Sequence, residues 1–328
     1  MRALSIELAV AAGCAIAAIA GGCGGASAGR DASAATSSPA RHIVLEEDFR
    51  SAPRAAGART LAAAGDIACP PVQAPARYAC HQASTARLIA RLHPDAVALL
   101  GDEQYDRGTA GEFAGSFARS WGRLRSALHP APGNHEYSDG GAHGYFGYFG
   151  ARAGSPARGY YSWDLGAWHM VALNSNCDFV SCAAGSAQVR WLRRDLARSH
   201  RRCTLAYWHH ARFSSGLHGD SDAVAPLFAT LYRAGADVVL SGHDHIYERF
   251  APQDPQGRPD ASRGVREFVA GTGGVNHYPI LSVKPNSEVR DNGSFGVLLL
   301  TLRARAYSWR FVPDRAGGFT DAGSARCH

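Results

Sequence analysis

Lysine is nearly missing from this chain of 328 residues: Lys284 is the only one, and arginine, scattered among acidic residues, carries almost all the positive charge. The formal net charge is +6, yet there is no basic block of the kind that grips a phosphate backbone, so a nucleic-acid partner is not expected. Cys-x-x-Cys pairs are also missing, which excludes a zinc finger or ribbon. No internal repeat is visible. Long apolar runs are scarce too. The one near the N-terminus, Leu8 to Gly22 behind Met1-Arg2, is too short to span a membrane as a stop-transfer helix and has the length of a signal-peptide core.

What is present is a foldable composition: 46% hydrophobic and 19% charged residues can bury a sizeable core. Two endings of the signal compete. Ala20-Gly21-Gly22-Cys23 is similar to a lipoprotein processing box, which would put a lipid anchor on Cys23, whereas Ala26-Ser27-Ala28 fits cleavage of a freely secreted protein. The expected organisation is a signal over residues 1–28, a flexible Ala/Ser/Gly/Arg linker over 29–57 and one folded domain over 58–328. The protein is expected to be exported, either secreted or anchored at the outer face of the cell membrane.

Export suits the cysteines. Removing the signal with Cys14 and Cys23 leaves Cys69, Cys80, Cys177, Cys182, Cys203 and Cys327, an even set for an oxidising compartment. Sequence proximity favours Cys69 with Cys80 and Cys177 with Cys182, leaving Cys203 for Cys327.

Apolar runs ending in Gly-Asp or Gly-His alternate with helical patterns along the chain. Strands are expected at Thr60–Gly65, Ala96–Gly101, Trp168–Asn174, Thr204–Trp208 and Val238–Ser241, with helices near Ser84–Leu92, Gln188–Ala197 and Ala223–Ala234. Strand-like runs at Glu267–Ala270, Phe295–Leu302 and Tyr307–Val312 suggest a second sheet. The fold class is α/β: a two-sheet β-sandwich flanked by helices.

Polar residues just after apolar strands converge on one crevice in such folds. Five stretches qualify: Gly65-Asp66-Ile67-Ala68, Gly101-Asp102-Glu103-Gln104-Tyr105, Gly133-Asn134-His135-Glu136, Trp208-His209-His210 and Gly242-His243-Asp244-His245. Each alone is ordinary turn chemistry. In the last stretch, two imidazoles two residues apart on extended backbone point to the same side. Together the five supply oxygen and nitrogen donors for two metal ions.

This ordered set resembles the calcineurin-like metallophosphoesterase superfamily, whose four-layer αββα fold is then expected. The superfamily's first motif often reads Asp-x-His, but Ala68 stands at the His position here. A small residue there, with a Tyr three residues after the bridging Asp, is the pattern of the purple acid phosphatase-like branch, and Tyr105 matches it. The resemblance implies a first metal held by Asp66, Asp102, Tyr105 and His245, a set suited to Fe(III), and a second, divalent Fe, Zn or Mn, held by Asp102, Asn134, His209 and His243. His209 is preferred to His210 because the family's His is followed by a small residue or Pro and then an aromatic, matched by Ala211 and Phe213.

The resemblance further implies hydrolysis of a small phosphomonoester by metal-bound hydroxide. His135 would face the phosphate, and His218, nine residues after His209, would be a second catalytic group. Arg212 and Arg249 are weaker phosphate clamps that could equally serve structural ion pairs. The alternatives are a phosphodiesterase or nucleotidase with the same centre, or a non-catalytic surface binding protein on this fold.

Overall fold

The computed structural model describes residues 57–328 apart from positions 73, 75 and 77. The expected export signal with its Cys23 anchor, and all but the last residue of the expected linker, lie outside the described residues.

Thirteen strands form among the described residues: β1 (Arg59–Ala64), β2 (Ala96–Leu99), β3 (Leu128–Pro130), β4 (Tyr161–Leu165), β5 (Trp168–Ala172), β6 (Cys203–His210), β7 (Val238–Gly242), β8 (Tyr247–Phe250), β9 (Arg266–Ala270), β10 (Ser287–Asp291), β11 (Gly296–Arg303), β12 (Ala306–Pro313) and β13 (Ala322–Arg326). They build a six-stranded sheet, β13-β12-β11-β1-β2-β3, and a seven-stranded sheet, β10-β8-β9-β7-β6-β5-β4. Helices lie outside both, so the two-sheet sandwich flanked by helices is the architecture found.

The alternation along β1 shows why four layers form. Leu61 and Ala63 pack between the sheets with Met170, Leu205, Val238 and Phe268. Ala62 and Ala64 face outward, under Ile89 of the helix Gln82–Leu92 and under Phe113, Phe117 and Trp121. The second sheet repeats the arrangement: Val171, Ala206 and Val239 face Val189 and Leu192 of the helix Ala187–Arg198 and Leu227 and Phe228 of the helix Ala225–Arg233. Strands buried on both faces read as unbroken apolar runs, which is how they stand in the sequence.

The expectation that the last strand-like runs form a second sheet by themselves is corrected. β11 pairs antiparallel with β1 in the first sheet, whereas β9 lies parallel to β7 in the second. The reason is burial. Leu298, Leu300 and Leu302 of β11 face the inter-sheet core while Val297 and Leu299 face the outer helix layer, so β11 needs partners on both faces and takes the centre of its sheet. β12 buries mainly Tyr307, Trp309 and Phe311 on one face and lies nearer the edge.

The three disulfides are Cys69–Cys80, Cys177–Cys182 and Cys203–Cys327, the pairing expected from proximity. The last joins the start of β6 in one sheet to the residue after β13 in the other, across 124 residues. Closing so long a loop restricts the unfolded chain strongly. Replacing Cys203 and Cys327 together by Ser is expected to lower the unfolding free energy by about 2–5 kcal/mol, read as a lower urea midpoint with a steeper slope, because the unfolded chain freed of its cross-link exposes more surface.

Candidate metal centre

β1, β2 and β3 run parallel in one sheet, and β5, β6, β7 and β9 run parallel in the other. Their carboxyl ends deliver the expected residues: Asp66 after β1, Asp102 after β2, Asn134 after β3, His209 next to the last residue of β6, and His243 and His245 just after β7. Asp66, Asp102 and His243 each have positive φ, at 59°, 49° and 70°. Left-handed backbone is uncommon outside glycine, though Asp and His tolerate it better than most, and three such residues at one place are kept by the structure around them. Each follows a glycine, and a Cβ on Gly101 would stand 2.6 Å from His209 Nδ1, so the backbone there must be bare.

Around Tyr105 four donor atoms converge. Its hydroxyl lies 2.9 Å from Asp66 Oδ1, 3.0 Å from Asp102 Oδ2 and 3.1 Å from His245 Nε2. His245 Nε2 is itself 3.2 Å from Asp66 Oδ1. The other ring nitrogen of His245 donates to Asn276 Oδ1 at 2.8 Å, so in the neutral ring Nε2 turns a lone pair to the cluster.

A second convergence surrounds His209. Its Nδ1 donates to the Leu100 carbonyl at 2.9 Å. Its Nε2 stands 3.0 Å from Asn134 Oδ1, 3.1 Å from His243 Nδ1 and 3.2 Å from the same Asp102 Oδ2 that meets Tyr105. Asp102 Oδ2 thus joins the two groups.

Facing acceptors repel unless something positive lies among them. One proton on His209 or Tyr105 can serve a single acceptor at a time, whereas a cation serves all. The electrostatics express that demand. Burial alone would pull His209 down, but the Asp102 carboxylate pushes it up to about 9. Burial alone would raise Asp102, but His209 and His135 hold it well below the usual carboxylate range. Burial, then Asp102 and Asp66, drive the Tyr105 phenol well above its ordinary value. Carboxylate, phenol, amide oxygen and imidazole are the donors that suit iron, zinc or manganese, so the residues fit the implied metals. Ala68 offers only a methyl group, and the Tyr105 hydroxyl is the group that reaches Asp66.

The other expected residues are placed as follows. His135 is half-buried, donates Nδ1–H to the Asp106 carbonyl at 2.5 Å, and leaves Nε2 3.9 Å from Asp102 Oδ2. His218 is exposed, and its ring stacks on His243 with centroids 4.1 Å apart. His210 also lies against His243, but the Ser175 hydroxyl accepts the His209 and His210 amides and so turns its own proton to His210 Nδ1 at 2.9 Å. Arg212 and Arg249 hold ion pairs: Arg212 with Asp222, and Arg249 with Asp321 and Glu288. The structural reading of both arginines is the one found.

Several supporting residues had no role in the sequence reading. Glu136 accepts the backbone N–H groups of Asp102 at 2.9 Å, Gln104 at 3.1 Å and Gly133 at 2.8 Å, fastening two ligand loops together. Burial and then the Asp102 charge raise its carboxyl to about 7. Asp244, between His243 and His245 in the bend that follows β7, turns away from both donor groups. It accepts Ser214 Oγ at 2.5 Å, the His218 amide at 2.8 Å and the Gly219 amide at 3.2 Å, and so pins the loop that carries His218. Tyr278 stacks on His245 with centroids 3.8 Å apart. Glu136 and Asp244 were adjacent to expected ligands in sequence. Asn276 and Tyr278 had no such signal.

The family model for the calcineurin-like phosphoesterase matches residues 60–247. Purple acid phosphatase 22 of Arabidopsis thaliana is 36% identical over 148 residues, which cover 42% of this chain and 32% of that protein. Purple acid phosphatase 15 of the same plant is 28% identical over 193 residues, covering 48% of this chain and 36% of that one. The matches therefore span about a third of those relatives' own length. Among solved structures, a purple acid phosphatase from yellow lupin (Lupinus luteus) superposes with a TM-score of 0.72 at 18% identity, over 83% of this chain and 54% of that chain, a likeness of fold. With the family model matched across more than half of its length and the donor clusters standing at the strand ends, the chain belongs to the calcineurin-like phosphoesterase family, and its relatives are purple acid phosphatases.

Proposed function

We propose that this chain is an exported phosphatase that hydrolyses small phosphomonoesters at a dinuclear metal centre. The observation that carries the reading is Asp102 Oδ2, placed 3.0 Å from Tyr105 Oη and 3.2 Å from His209 Nε2, a shared corner between two donor sets. Asp66, Asp102, Tyr105 and His245 would hold Fe(III), and Asp102, Asn134, His209 and His243 a divalent Fe, Zn or Mn. Bound there, two cations activate water and spread the charge of the attacked phosphoryl group.

The protein's own residues orient and protonate. Asn276 and the Leu100 carbonyl fix the rings of His245 and His209, and the Asp106 carbonyl accepts Nδ1–H of His135, so that its Nε2 faces the ester and carries a proton there when the ring is an imidazolium. His218, pinned through Asp244, supplies a second proton-bearing group at the rim. Export is supported by the three disulfides, which persist in oxidising compartments. The exported form is either freely secreted or lipid-anchored through Cys23.

The test is hydrolysis of p-nitrophenyl phosphate by the purified protein before and after chelation, with metal content measured in parallel. Activity that disappears with the metals and returns on adding iron with zinc or manganese supports the reading. A fully loaded protein inert to this and other phosphoesters would sink it. If Tyr105 binds Fe(III) as phenolate, the loaded protein is coloured, and Tyr105→Phe bleaches it. A colourless protein with full iron loading would remove Tyr105 from the ligands.

A further inference from the structure

Among the described residues, the large apolar side chains left exposed are Val72, Phe179, Leu217, Leu281 and Val283. Apolar residues scattered singly over a surface need no explanation, but these are not scattered. Val72 lies on the loop that leaves β1, Phe179 on the loop that leaves β5, Leu217 on the loop that leaves β6, and Leu281 and Val283 on the loop that leaves β9. Those are carboxyl ends of parallel strands, the end where the donor clusters stand, and among the described residues no exposed large apolar side chain is found at the opposite ends.

Leu217, Leu281, Phe179 and Val72 are linked to the centre through near neighbours in sequence or packing. Leu217 precedes His218, whose ring lies 4.1 Å from that of His243. Leu281 donates its amide to Ser215 at 2.9 Å, tying its loop to the one that carries Leu217 and His218, and it follows Tyr278, stacked on His245. Phe179 stacks on Tyr137 at 4.6 Å, three residues after Asn134. Val72 follows Cys69, which packs against Tyr105.

The one arginine of the loop that leaves β6 and the one lysine of the loop that leaves β9 are committed elsewhere. Arg212 pairs with Asp222 at 2.9 Å and Lys284 with Asp220 at 3.1 Å, so the loops that leave β6 and β9 present no unpaired Arg or Lys to a leaving group. A polyphosphate or carboxylate on the leaving group would find no counter-charge there, whereas an uncharged ring or alkyl chain would find side chains of its own kind.

The geometry points to a substrate class: a phosphomonoester whose leaving alcohol is uncharged and apolar, aromatic or alkyl, laid against Phe179 on one side and Leu217, Leu281 and Val283 on the other. This inference rests on the phosphatase reading. It assigns the rim a role in leaving-group selection, not in the chemistry at phosphorus.

The experiment compares kcat/KM for benzyl phosphate and glycerol phosphate, esters of alcohols of similar acidity, in the metal-loaded protein and in Phe179→Ser and Leu281→Ser variants. The wild type is expected to prefer benzyl phosphate by about tenfold or more, and each variant to lose several-fold of that preference while keeping its rate on glycerol phosphate. Turnover of both esters with no preference, or a preference that neither variant changes, overturns the inference and leaves the phosphatase reading standing. Sedimentation showing a dimer that both variants dissociate, with the preference intact, overturns it too, because a second copy of the chain would be what covers the rim. Failure to cleave either ester by a protein that does cleave p-nitrophenyl phosphate overturns the rim assignment alone, whereas failure on all three removes the phosphatase reading and the rim assignment with it.

Discussion

Asp102→Asn is expected to lower kcat on p-nitrophenyl phosphate by on the order of a thousandfold, with loss of bound metal, under conditions in which the wild type is fully loaded. The substitution is nearly isosteric, but it removes the one negative charge common to both donor groups. The carboxylate sits between Tyr105 and His209 with a backbone bond from His135 to its other oxygen at 2.9 Å. An amide there either turns an N–H toward His209 Nε2 and Tyr105 or gives up the His135 bond. Metal analysis and kinetics on the same sample separate weakened loading from impaired chemistry. Equal activity in the two proteins would end the proposed centre.

Gly133→Ala tests the same centre sterically and leaves every proposed ligand in place. A Cβ on Gly133 would overlap both the carboxylate and the backbone nitrogen of Asp102, and neither can retreat. Glu136 already holds the Asp102 and Gly133 amides, at 2.9 and 2.8 Å. The methyl group must therefore push the Asp102 carboxylate aside. Displacing a reacting group by about an ångström costs roughly a hundredfold in rate, and overpacking costs about 1–3 kcal/mol in stability. Activity assays and thermal unfolding on one preparation check both. A variant with wild-type activity would show that the two loops yield more readily than their hydrogen bonds suggest.

The donor set is legible in the sequence because ligand chemistry allows few residue types and the strand ends fix their spacing. Asp66 and Asp102 behind apolar runs, Asn134 in its Gly-Asn-His stretch, and the His243/His245 pair are local patterns. Even the missing donor at Ala68 and its match in Tyr105 can be read along one dimension, and the fold brings the Tyr105 hydroxyl to 2.9 Å from Asp66. The cysteine pairing is legible for a similar reason: two short loops leave only one pair over.

What fails to show is anything decided by packing across distance. Arg249 reads equally as a phosphate clamp or a structural ion pair. The arrival of Asp321 and Glu288 beside it, from 72 and 39 residues away, commits it to ion pairs. The terminal strands read as a sheet of their own because sequence order is silent on partners, and the two-sided burial of β11 sends it to β1 instead. Asn276 and Tyr278 carry no motif, since a residue that orients a ligand ring needs only to arrive beside it.

By itself, then, the sequence determined the chemical character of the centre, the αβ alternation and the disulfide set, because each depends on residue type and local period. The tertiary structure alone decided which strands share a sheet, how Glu136 and Asp244 fasten the ligand loops, and that the exposed apolar side chains gather on one rim. Those follow from which surfaces must be buried together, and burial is a property of the packed chain that no single stretch of sequence contains.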